Sequence, residues 1–197
     1  VYFNGYMADI HFIDGQQLSN TDFGEFDSNG IWRPKEASFT SPNNGTTWSS
    51  GTQSNPDTTR PLSNLFDGST STLIAAASGN NASNKVTLPA SITAQTSVRF
   101  YSGAGGYDNG PVTLSNSGTT VSTIAAESSQ ASGWKSFTGT FPMTFNEFTV
   151  NRSAGGTGSG AALLEVDGVI LIDGAGKYGK NGFHLNFSDS STNGALG

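Results

Sequence analysis

Ala162-Leu163-Leu164-Glu165-Val166-Asp167-Gly168-Val169-Ile170-Leu171-Ile172-Asp173 reads as two short apolar strands turned back on each other at Asp167-Gly168. Asp-Gly is among the dipeptides that most readily take the left-handed backbone of a two-residue hairpin turn. Short apolar runs bounded by turn residues and rich in branched side chains read as strands, not helices. Outward from this hairpin the pattern recurs. Candidate strands fall at residues 85–88, 97–101, 112–114, 121–124, 134–141 and 146–150, separated by turn residues. Spacing of roughly 8–12 residues predicts a sandwich or jelly roll. Only 62–66 and 73–77 look helical, and the Gly68-Ser69-Thr70 break between them limits each to about a turn.

Composition agrees. Gly, Ser, Thr and Asn supply 92 of the 197 residues, while 34% are hydrophobic and 12% charged. The average globular domain has about 25% charged residues, and a helical bundle needs runs of Ala, Glu, Lys, Leu and Arg that this chain lacks. Thirteen Phe, five Tyr and three Trp argue against disorder. No apolar run approaches the ~20 residues of a bilayer-spanning helix. Nine basic residues against fifteen acidic ones give a net charge of −6 and no basic cluster, so nucleic-acid binding is not expected. With no cysteine there are no disulfides or thiolate metal sites.

Near the start, Tyr6-x-Ala8-x-Ile10-x-Phe12 alternates with period two, a strand with one apolar face that ends at Asp14-Gly15. Phe23, Phe26, Ile31 and Trp32 pin a following loop. Residues 37–60 are polar and irregular around Trp48, and from Lys177 onward strand text returns. The chain opens directly on strand-like sequence and reads as a piece of a longer polypeptide or a processed product.

Catalytic patterns are weak. Gly155-Gly156-Thr157-Gly158-Ser159-Gly160 holds a Gly-x-Gly, but a strand follows where a dinucleotide site needs a helix. His11 and His184, the two histidines, sit in alternating strands without metal-ligand spacing and are read as solvent-facing. No Gly-x-Ser-x-Gly elbow marks a triad serine. Asp22, Glu25 and Asp27 cluster in a loop and read as solvated acids, not a glycosidase pair.

Two resemblances extend this reading. Residues 3–16, beginning Phe3-Asn4-Gly5-Tyr6-Met7-Ala8-Asp9-Ile10-His11-Phe12, then Phe23-Gly24-Glu25 and Ile31-Trp32-Arg33-Pro34-Lys35, resemble the closing strands of concanavalin A/laminin-G-like domains in marine bacteriophage structural proteins. Tyr178-Gly179-x-Asn181-Gly182-Phe183-x-Leu185-x-Phe187-Ser188-Asp189 and Leu196-Gly197 resemble the text that follows in that family. The match covers about 57 residues, and 140 residues separate its two blocks. Within the intervening stretch, Pro61-Leu62-Ser63-Asn64-Leu65-Phe66-Asp67-Gly68-Ser69-Thr70-Ser71-Thr72 is similar to the opening of discoidin or galactose-binding-like jelly rolls, with Leu73 where a Trp often stands. The stretch 163–173 resembles that fold's terminal strands. The second resemblance implies a structural Ca²⁺ held by Asp67, Gly68 and Thr72 with Glu165, since hard oxygen ligands suit that ion. Asp67 as a turn cap is the alternative.

The expected fold is therefore all-β: a jelly roll at 50–176, a linker at 37–49, and flanking strands at 1–36 and 177–197 from an incomplete concanavalin A-like sandwich. Those flanking strands are expected to pair with each other and with strands outside this chain, from the parent polypeptide or neighbouring copies. Sugar binding would use exposed aromatics and amide or carboxylate side chains. The candidates are Trp48, Tyr101, Tyr107 with Asp108 and Asn109, and Trp134, with core anchoring the alternative for Trp48 and Trp134. The resemblance implies a non-enzymatic adhesive segment of a virion appendage that meets host surface glycans. A depolymerase fragment and an extracellular filament subunit are the alternatives.

Overall fold

A computed structural model describes residues 9–37, 39, 41–79, 81–103, 109–126, 132–152 and 160–185. Within them the chain forms fourteen strands: β1 (Ile10–Phe12), β2 (Gly24–Phe26), β3 (Trp32–Pro34), β4 (Thr52–Ser54), β5 (Ile74–Ala75), β6 (Ser83–Ala94), β7 (Val98–Ser102), β8 (Asn109–Asn116), β9 (Thr119–Ile124), β10 (Gly133–Ser136), β11 (Met143–Arg152), β12 (Gly160–Val166), β13 (Val169–Ile170) and β14 (Phe183–Leu185). Three single-turn 3-10 helices lie at Asn20–Asp22, Trp48–Ser50 and Leu62–Leu65. The protein is all-β, and its main body is an antiparallel sandwich of the jelly-roll kind.

One sheet runs β4-β6-β11-β8-β9 and the other β10-β7-β12-β13, with β5 added against β12. Their inner faces share a core. Val86, Ile92, Val112, Leu114, Phe145, Phe148 and Val150 from the first sheet meet Val98, Phe100, Leu164 and Val166 from the second. Phe100 and Phe148 touch edge to face across the sheets, centroids 5.7 Å apart, the preferred geometry of buried aromatic pairs. Strand β12 is buried along its whole length, apolar on both faces up to Leu164 and carrying the charged Glu165 near its end. The β12–β13 hairpin turns at Asp167 (φ 51°) and Gly168 (φ 80°), both left-handed.

Strand β6 is longer than its apolar pattern suggests. Its register against β11 covers Ser83–Thr87, then resumes at Ile92. Pro89 lies in the skipped stretch, where its missing N–H takes nothing from the ladder. Four β6 residues, Leu88 to Ser91, thus stand opposite Asn146 alone of β11, and the buried Glu147 next to it is met by Lys85 Nζ at 3.0 Å and the Gly118 N–H at 3.0 Å.

Two expectations change. The helix-like 73–77 is extended: Ile74 and Ala75 pair with Ala161 and Gly160 of β12, tertiary pairing overriding a weak local preference. From the expected linker at 37–49, Asn43 and Trp48 pack into the sandwich. Trp48 is 3% exposed and its indole N–H donates to the Asn43 side-chain oxygen at 3.0 Å. That oxygen also accepts the Ile172 N–H, and the Asn43 amide donates to the Ile170 carbonyl at 2.7 Å.

The flanking segments meet each other. β1 pairs antiparallel with β14, Ile10 with Leu185, His11 with His184 and Phe12 with Phe183. Neither strand takes a further partner among the described residues. The Asp14 N–H donates to the Tyr178 carbonyl and the Gln16 side-chain amide to the Lys177 carbonyl. β2 and β3 form a separate hairpin.

Candidate functional site

Of the residues expected to bind sugars, Tyr101 and Trp134 come together. They are directly paired across β7 and β10, their rings nearly perpendicular at 5.5 Å. Both are half-buried on the outer face of the sheet, beside a small apolar cluster of Leu73, Ala75, Ala162 and Leu163. Arg99 lies over the Trp134 ring, 4.3 Å from its centroid. Trp48 is a correction to the expectation: it is a core residue whose ring packs near Phe66 and whose N–H is already satisfied, so it offers no exposed stacking face. Tyr107 and Asp108 fall outside the described residues. Asn109 opens β8, and only its backbone is described.

The expected calcium ligands are not one donor set. Asp67 is occupied locally, accepting the Ser69 N–H at 2.8 Å and the Thr72 hydroxyl at 2.5 Å, a turn-capping arrangement that also involves the left-handed Gly68. Glu165, 5% exposed, gives both carboxylate oxygens to Arg99, with Nη2 2.7 Å from Oε2. A guanidinium thus supplies the positive charge that a cation would have brought to Glu165. These residues do not fit the ion, and no cluster of three ligating side chains occurs among the described residues.

A second candidate lies elsewhere. A cleft of about 690 Å³ opens between the segment Gln16, Gln17, Leu18, Ser41 and Pro42 and the edge of the sandwich formed by 91–95 and 166–169. Its apolar floor is Ile92, Val166, Val169 and the edge of Trp48; its polar lining includes Gln16, Gln17, Ser41, Ser91, Thr93 and Gln95. Amides and hydroxyls both donate and accept, so such a wall can match either polarity of a ligand hydroxyl. The volume is within the roughly 300–1,000 Å³ of small-molecule sites.

Two charged side chains line this cleft, and both are neutralised or fully bonded. Arg99 is paired with Glu165. Asp167 accepts from the backbone N–H groups of Gln95, Thr96 and Ser97 at 2.7–3.0 Å and from the Thr96 hydroxyl at 2.9 Å. Burial pushes the Asp167 carboxyl up, but the Gln95, Thr96 and Ser97 bonds outweigh it and hold its pKa below the ordinary value. The cleft is therefore polar, with the Arg99 charge met by Glu165 and the Asp167 carboxylate ionised but held by neutral donors. Sequence reading could not find it, because Gln16, Ser41, Thr93 and Asp167 are brought together by the fold from four separate segments, none with a local motif.

One of the histidines is also corrected. His184 is exposed as expected, but His11 is half-buried, and the two stack with ring planes 4° apart and centroids 4.2 Å apart. That face of the ribbon lies on Phe23 and Tyr178. No protein-family model and no curated protein matches the sequence. Among solved structures, the family 32 carbohydrate-binding module from C. perfringens NanJ in complex with galactose is similar to this chain at 17% identity, covering 62% of this chain and 97% of that one with a TM-score of 0.43.

Proposed function

We propose that this chain is a glycan-binding module without catalytic activity, and that it holds an uncharged saccharide in the cleft between the Gln16–Leu18 segment and the sandwich edge. The single observation that carries this reading is the cleft itself: about 690 Å³, walled by amides and hydroxyls, floored by aliphatic side chains, with Arg99 paired to Glu165 and the Asp167 carboxylate enclosed by hydrogen bonds. Sugars present the complementary surface, hydroxyls around an apolar ring face. Tyr101 and Trp134 flank Arg99 at one end, where a longer glycan could continue over the outer sheet.

Screening immobilised neutral and acidic glycans, followed by calorimetric titration of the best binder, tests the proposal. Gln95→Ala and Gln17→Ala should each weaken binding roughly ten-fold, the effect of losing one or two well-placed hydrogen bonds. Backbone amide shifts on titration should centre on residues 91–95 and 166–169. Absence of binding, or binding unaffected by both variants and centred on Trp134, would reject the cleft.

For its setting we propose an adhesive segment of a virion appendage that meets host surface glycans. What supports this is the resemblance of residues 3–35 and 178–197 to phage structural proteins. The pairing of β1 with β14 is what an inserted jelly roll would require of its flanking strands. Detecting the polypeptide in purified particles by mass spectrometry tests it.

A further inference from the structure

The ribbon formed by β1 and β14 has two unlike faces. Ile10, Phe12, Phe183 and Leu185 share one, with Phe12 and Phe183 stacked and about half exposed. His11 and His184 occupy the other, directly opposite one another. They close a box of aromatic rings: Phe23 is 4.8 Å from His11, Tyr178 is 6.0 Å from both imidazoles, and Phe39 is 5.9 Å from Phe23 and 5.6 Å from Tyr178. This box lies apart from the core of the sandwich.

The charged and titratable groups around the stack come from every element that meets it. Asp9, just before β1, is 3.4 Å from His184 Nε2. From the turn before β14 come Tyr178 and Lys177, whose ammonium lies 4.7 Å from the Phe39 ring and donates to the Ala37 carbonyl. Lys35 and Glu36, following β3, line the small pocket that also holds Asp9, His11 and His184. One carboxylate, Asp9, is thus within reach of one imidazolium. His11 Nδ1 is buried with no hydrogen-bond partner among the described residues.

Asp9 lies against His184 Nε2, so one imidazolium of the pair has a carboxylate to meet it. A second does not. It would put two like charges on parallel rings 4.2 Å apart and leave a charged N–H of His11 out of water with no acceptor among the described residues. The arrangement is not a chelate either, since two parallel ring planes cannot both contain one ion. We propose that His11 and His184 form an acid-sensitive latch, closed while at most one imidazole is charged and opened by the second proton. Its release frees the β1–β14 ribbon from the Phe23–Phe39–Tyr178 box. The clips from Asp14 to Tyr178 and from Gln16 to Lys177 tie one wall of the cleft to the same ribbon. The latch does not depend on what the cleft binds.

The direction of titration follows from the surroundings. Burial, the charge of His184 and the charge of Lys177 lower the His11 pKa below its ordinary 6.5, against a smaller opposing pull from Asp9. A basic group whose folded pKa is lowered binds more protons in the open state, so closure is favoured above 6.5 and weakens as pH falls below it.

Hydrogen exchange on the full chain tests this, with rates corrected for the intrinsic effect of pH. Between pH 7 and pH 5, protection of the ribbon amides should fall at least ten-fold while that of β6 and β11 is unchanged. His11→Phe, which keeps a ring in the stack without its proton, should abolish the fall; His184→Phe serves as a second variant. With two histidines in the chain, the imidazole resonances give an independent readout in the unaltered protein. His11 should titrate below 6.5 and move upward in His184→Phe. Equal ribbon protection at both pH values, an unchanged fall in both variants, or a His11 midpoint at or above 6.5 would overturn the latch.

Discussion

Arg99 and Glu165 face each other across β7 and β12, and the guanidinium that grips both carboxylate oxygens is the same one that covers the Trp134 ring. A single side chain therefore joins the interior of the outer sheet, the aromatic patch and the end of the polar cleft. Glu165 is almost wholly buried, and Arg99 meets both of its carboxylate oxygens. Arg99→Met should lower unfolding stability by about 2–4 kcal/mol in urea denaturation, because it strands a buried carboxylate. The double change Arg99→Met with Glu165→Leu should recover most of that loss. A single change as mild as the double would show that the pair contributes little.

Calcium removal should do nothing. With Glu165 committed to Arg99 and Asp67 to Ser69 and Thr72, saturating chelator is expected to leave the melting temperature unchanged within error. A fall of several degrees, reversed by added Ca²⁺, would return the ion to this fold by mass action.

Removal of residues before position 50 should be costly. A fragment spanning 50–176 lacks both Trp48 and Asn43, whereas one spanning 41–176 keeps the indole and its amide bracket. The shorter fragment should be less stable by at least the roughly 3–5 kcal/mol of a large aromatic removed from a core. Denaturant titration of the two fragments measures the difference, and equal midpoints would place Trp48 outside the cooperative unit.

Asp167 should give the sandwich an acid limit. Its carboxyl pKa is lowered in the folded protein, so the native state holds fewer protons there than the unfolded chain. The stabilisation is complete above the ordinary carboxylate value and is lost as pH falls through the lower, folded one. The melting temperature should decline between pH 4.5 and pH 2.5, and the decline should be shallower in Asp167→Asn. That variant should also lose about 1–3 kcal/mol at neutral pH, since its amide cannot accept every bond the carboxylate does.

What could be read beforehand followed the range of the forces involved. The Asp167-Gly168 turn was legible because two residues suffice to set its backbone, and the strands beside it because burial on alternate or both faces is written in adjacent residues. Leu73 to Ala77 misled, since its extended form is dictated by β12, some 87 residues later in the chain. Trp48 was ambiguous for the same reason: a tryptophan among Ser, Thr and Asn looks alike whether the fold covers it or not. Asn43 carried no signal, although its one amide holds Trp48, Ile170 and Ile172 together. The histidines each looked like a surface residue, and only the pairing of strands over 170 residues apart sets them face to face.

The three rungs of the β1–β14 ribbon also determine how this module would respond to tension. Residues 9 and 185 leave the ribbon at the same end, because Ile10 is paired with Leu185. A pull that separates them peels the ladder open one rung at a time, beginning at Ile10 and Leu185 and reaching Phe12 and Phe183 last. The clip from Asp14 to Tyr178 comes next, and only then the sandwich itself. The ribbon would thus yield to such a pull before the sandwich does, and the Gln16 wall of the cleft would loosen with it.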